Sequence, residues 1–108
     1  MISRLEAQAT LEEHVTDEYQ LLHAFMVAKA LEAYAEELGE DEDLWFITGL
    51  LHDLDYEEFP DEHPMRSVNW LSEMDVPEEL IHAVESHAYL ITGVEPETKL
   101  AQALIAVD

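Results

Sequence analysis

The chain contains no cysteine and only four Lys and Arg. Without thiols there is no disulfide framework and no thiolate metal site. Without a basic patch nothing can neutralise a phosphate backbone, which excludes nucleic-acid binding, and anionic membrane surfaces are disfavoured for the same reason. No apolar run approaches about 18 residues and no signal-peptide pattern is present, so a membrane protein is not expected. These absences predict a soluble, cytoplasmic protein. Glycine and proline are also scarce, at three and four, and no alternating β-branched run occurs. The pattern therefore predicts an all-α fold.

What is there is apolar and acidic. The 108 residues are 48% hydrophobic, enough for one core, and residues 1–108 read as a single domain. There are 26 Asp and Glu, giving a net charge of −22. Residues 1–54 and 55–108 hold 13 acids each, so the surface as a whole is acidic rather than one tail. The excess resembles the surfaces of proteins from extreme halophiles; an ordinary acidic protein or an engineered sequence is the other reading. Each exposed like-charge pair costs less than about 1 kcal/mol, but the sum rivals a total stability of about 5–15 kcal/mol. On the halophilic reading the metal-free protein is least stable in low salt. Thermal melts from about 0.01 to 2 M KCl check this, and a melting temperature independent of KCl would refute the reading.

Capping signals divide the chain into about six helices. Ser3 with Glu6, or Thr10 with Glu13, can form a capping box for a helix over 3–14. A second spans 17–38 and stops at Gly39. A third spans 41–52 after the acidic run Glu40-Asp41-Glu42-Asp43. Residues 53–62 read as a loop. A fourth helix runs from His63-Pro64 to Met74, and Asp75 can cap a fifth over 76–88. Residues 89–96 read as a loop before a sixth helix over 97–108. The third helix is apolar on every side (Leu44, Trp45, Phe46, Ile47, Leu50 and Leu51), so it should run through the middle of the bundle.

With six histidines and no cysteine, any transition-metal site must be built from imidazole and carboxylate. At about 100° per residue, His23 lies on a face with Tyr19, Met26, Val27, Ala30, Tyr34 and Leu38. His87 shares a face with Leu80, Ala83 and Val84. His82, about 140° away on the same helix, falls on the wet side. His63 lines up with Ser67, Trp70 and Met74, with Arg66 at the margin. Asp108 shares a stripe with Ala101, Leu104 and Ile105, opposite Lys99. A carboxylate on an apolar stripe is costly unless paired or bound to metal. His52 and Asp53 can reach one centre only at a helix end, and Asp53 can bridge two ions. Such a set suits Mn, Fe, Co or Zn.

These residues resemble the HD-domain superfamily of metal-dependent phosphohydrolases. The resemblance is strongest in Gly49-Leu50-Leu51-His52-Asp53-Leu54-Asp55, which is similar to the paired motif that names the family. It runs from Leu22-His23 to Ala106-Val107-Asp108, about four fifths of the chain. It implies a compact bundle in which His23, His52, Asp53 and Asp108 hold one divalent ion. His63 and His87 fall where the two-metal members carry extra histidines, which implies a second ion with Asp53 bridging. His14 has no counterpart and is read as a surface residue. Family members usually continue with more helix after the last Asp, whereas Asp108 is the final residue here. A homodimer partner supporting this end, or a shortened form, is the expectation.

The resemblance implies hydrolysis of a small phosphate ester such as a nucleotide, with Asp53 catalytic. Arg66, the only cation close to an inward face, is the candidate phosphate clamp; a surface ion pair with Glu62 or Glu73 is its other reading. Asp55 or Glu57 would relay a proton or orient a ligand; the bland alternative is a solvated loop acid. Two other readings share the ligand set: a mixed-valent diiron oxygenase similar to myo-inositol oxygenase, and a non-catalytic module stapled by metal.

Overall fold

A computed structural model describes all 108 residues, Met1–Asp108. The helix starts follow local chemistry. Ser3 and Glu6 form a reciprocal capping box at the head of α1 (Arg4–His14). Thr10 lies inside that helix and donates its hydroxyl to the Glu6 carbonyl. Asp17 caps α2 (Glu18–Leu38), which Gly39 ends in the left-handed region at φ 72°. Asp41 caps α3 (Glu42–Leu51). The chain then turns through a 3₁₀ turn (Pro60–Glu62) into α4 (Met65–Ser72) and α5 (Glu78–His87). α6 (Tyr89–Thr92) is one turn, and α7 (Lys99–Val107) starts from a Thr98 cap.

The fold is all-α, with seven α-helices where about six were expected. The extra one is α6, inside a stretch read as loop. Four residues are too few to show a helical period, and the turn closes at Gly93, φ 74°. Asp75 does not cap α5; Pro77 occupies that position without a side-chain bond, and the Asp75 carboxylate instead pairs with the N-terminal amine at 3.2 Å. No helix is long and apolar enough to cross a membrane.

α3 is the axis of the structure. Every residue from Leu44 to Leu51 is buried, and the helix packs on α1, α2 and α5. Its contact with α2 depends on Gly49. A Cβ there would lie 2.6 Å from the Ala28 Cα, so only glycine permits this approach. His23 lies five residues before Ala28 and His52 three after Gly49, and this close packing brings their rings to 5.2 Å. α7 packs on α5 and α2, carrying Asp108 to the same place.

Candidate metal centre

His52 caps the C-terminus of α3 and is fully buried. Its Nδ1 donates to the Gly49 carbonyl at 2.6 Å, so Nε2 faces the cluster. That Nε2 is 3.1 Å from Asp53 Oδ2 and 3.1 Å from Asp108 Oδ1. His23 Nε2 is 2.9 Å from Asp108 Oδ1 and 3.7 Å from Asp53 Oδ2. His63 and His87 approach the other oxygen, each with Nε2 3.3 Å from Asp53 Oδ1. The ligand atoms of His23, His52, Asp53 and Asp108 all lie within 4.8 Å of one another, as do those of Asp53, His63 and His87. The structure thus gathers all six side chains named from the sequence, in two sets divided by the two oxygens of Asp53.

Further contacts fix the rings. His87 donates Nδ1 to the Val84 carbonyl. His63 donates Nδ1 to Asp55 Oδ1 at 2.6 Å. Asp55 is fully buried and is no solvated loop acid. It accepts from the Ser67 backbone N–H at 3.0 Å, while its own N–H donates to Ser67 Oγ at 3.0 Å. Outer partners of this kind set the tautomer and direction of a metal-binding imidazole. Ser67 was on the expected face beside His63, but sequence alone gave no sign that it would anchor Asp55. Glu57 has a different task. It accepts from the backbone N–H groups of Thr16 and Asp17, tying the loop to the start of α2, and those bonds hold its carboxyl below the usual range.

The donor set fits a metal. Neighbouring donors around a tetrahedral ion with bonds of about 2.1 Å stand about 3.4 Å apart, and the separations above are of that order. The side chains also satisfy one another, and no buried side-chain N or O lacks a partner. Burial opposes charge on His52, but its bonds to Asp108 and Asp53 push it up to about 10. Against their own burial, His52 and His87 hold Asp53 well below the usual carboxylate range, and His52 holds Asp108 down. His63 and the Ser67 N–H do the same for buried Asp55.

Several residues sit elsewhere than expected. Arg66 has other partners: its Nε pairs with Glu62 at 3.2 Å and its guanidinium lies 4.0 Å over the Phe59 ring. It makes no ion pair with the cluster. His14 is not a free surface residue; its ring stacks on Trp70 at 4.1 Å and Nδ1 pairs with Glu58 at 2.8 Å. His82 lies outside the cluster, but it is half-buried and its Nε2 accepts from the Glu97 N–H. The face of α2 around His23 is interior only in part, with Val27 buried at its edge. Tyr19 and Met26 are 74% and 62% exposed, so His23 stands at the mouth of the site. Lys99, as expected, points away and pairs with Glu40 at 3.6 Å.

The chain matches the HD domain family over residues 21–108. It belongs to the HD-domain family. The match opens within α2 and takes in every residue of the cluster. HD domains form a superfamily of metal-dependent hydrolases that bind divalent ions. No curated protein and no solved structure matches the chain.

Proposed function

We propose that this HD domain is a phosphohydrolase that uses two divalent ions to hydrolyse a small phosphate ester such as a nucleotide. The carrying observation is the division of Asp53, with Oδ2 beside His23 and His52 and Oδ1 beside His63 and His87. His23, His52 and Asp108 complete one set, His63 and His87 the other, and Asp53 serves both. Nitrogen and carboxylate donors of this kind suit Mn, Fe, Co or Zn. Ions held there supply Lewis acidity, lowering the pKa of water towards about 7 and offsetting charge on the phosphoryl oxygens.

The chain supplies the positioning. The buried His52 is locked by Gly49, and Asp55 with Ser67 holds His63 in its working tautomer. Asp53 is the catalytic residue of this scheme, because its two oxygens would help to hold both ions. Metal analysis of protein purified without chelator, followed by a panel of phosphate esters with added Mn or Fe, tests the proposal. Two ions per chain and metal-dependent phosphate release are expected. Bound metal with no turnover would leave a metal-stabilised module, and substrate-dependent oxygen uptake would instead support the diiron oxygenase.

A further inference from the structure

The mouth of the site is apolar and carries no cation. Tyr19, Leu22 and Met26 are 74%, 58% and 62% exposed on α2. With His23 they line a groove of about 120 Å³. His23 also belongs to the first ligand set, so the groove and that set share a wall. An enclosed cavity of about 150 Å³ accepts a benzene ring, and an open groove of this size can seat one ring.

Every cation of the chain is engaged elsewhere. Arg4 pairs with Glu32 and Asp43, Lys29 with Glu32, Arg66 with Glu62 and Lys99 with Glu40. Two divalent ions would carry four positive charges against the three carboxylates of Asp53, Asp55 and Asp108, leaving about one in excess. One phosphoryl group, at about −1.5 to −2 near pH 7, already takes up that excess. A second anionic group on the same molecule would meet only the field of a chain carrying −22.

We infer that the substrate is a phosphomonoester whose organic part is uncharged and presents an apolar or aromatic face, a nucleobase included, seated on Tyr19, Leu22 and Met26. This rests on the phosphohydrolase reading above. Removing roughly 55 Å² of apolar surface from water is worth about 1.4 kcal/mol, or tenfold in affinity.

Three non-hydrolysable probes test the inference by calorimetry on zinc-loaded protein, with the Met26 methyl signal followed by NMR. Benzylphosphonate is expected to bind at least tenfold more tightly than methylphosphonate and to shift the Met26 signal. 2-Carboxyethylphosphonate, which carries a second anion, is expected to gain nothing over methylphosphonate. In Tyr19→Ala and Met26→Ala the benzyl advantage should disappear. Leu38→Ala, on the same helix but outside the groove, should retain it. Equal binding of the benzyl and methyl compounds would overturn the inference while leaving the phosphohydrolase reading intact. So would an advantage for the carboxyethyl compound, or a dimer that fills the groove and is lost in Met26→Ala. If no phosphonate binds at all, both readings fall.

Discussion

His52 and His63 face one carboxylate through its two different oxygens, yet they are held by different means. His52 sits at the end of a helix buried on all sides, and its place follows from α3 lying against α2 at Gly49 and Ala28. His63 lies on a short irregular segment between a 3₁₀ turn and α4, and its direction follows from Asp55 and Ser67. One ligand set is positioned mainly by packing and the other mainly by hydrogen bonds. Changes to helix contact should therefore damage the first set most, and changes to buried polar groups the second.

The largest effect should come from Gly49→Val. The new side chain would strike the Ala28 backbone and force α2 from α3. Overpacking of this kind costs about 3 kcal/mol. Urea unfolding should show that loss, and metal titration should show the His52-side ion lost first. An unchanged midpoint would mean that close approach does not set the first ligand pair.

Asp55→Asn is the matching test of the second set. Asparagine leaves a single oxygen where both His63 and the Ser67 N–H now find acceptors. Affinity for one ion should fall about 10–100-fold while the other is retained. The stability cost should be about 1–3 kcal/mol. Equal weakening of both ions would erase the distinction between the two sets.

His87→Ala should lower metal content towards one ion per chain, while His82→Ala should leave it unchanged. His87 Nε2 stands 3.3 Å from Asp53, whereas His82 faces the Glu97 backbone. Elemental analysis of the two variants checks this, and the reverse outcome would mean that α5 is phased differently.

A pH dependence on the packed side sharpens the contrast further. His52 rises from 6.5 to about 10 without metal. Its contribution to metal-free stability is complete below pH 6.5 and lost as pH rises through about 10. The lowered carboxyls of Asp53, Asp55 and Asp108 contribute above their ordinary value of 3.8 and lose that contribution as pH falls. A metal must displace the His52 proton, so its affinity should rise about tenfold per pH unit between 7 and 9. Calorimetry in buffers of different ionisation heat should count one proton released at His52. No release would mean that this imidazole is already neutral.

Much of this arrangement could be read from local pattern. Asp17 and Gly39 bounded α2, and an all-apolar run placed α3 inside. Order and helical phase pointed to His23, His87 and Asp108. What was misread has a common cause, because periodicity finds a face without saying what covers it. The stripe of Tyr19 and Met26 resembles a core stripe but is exposed. Asp55 stands among five other acids in residues 53–62, and nothing local marks it as the buried one. Arg66 has the helical phase of a site residue, but Glu62 one turn earlier and the Phe59 ring take its guanidinium. Such choices depend on contacts distant along the chain.

The central claim is that one aspartate serves two metal positions. Anomalous diffraction from crystals grown with Mn, recorded on either side of the Mn absorption edge, tests it most directly. Two peaks are expected, one beside Asp53 Oδ2 with His23, His52 and Asp108, the other beside Asp53 Oδ1 with His63 and His87. A single peak ligated by all four histidines, or a second peak that does not touch Asp53, would contradict it.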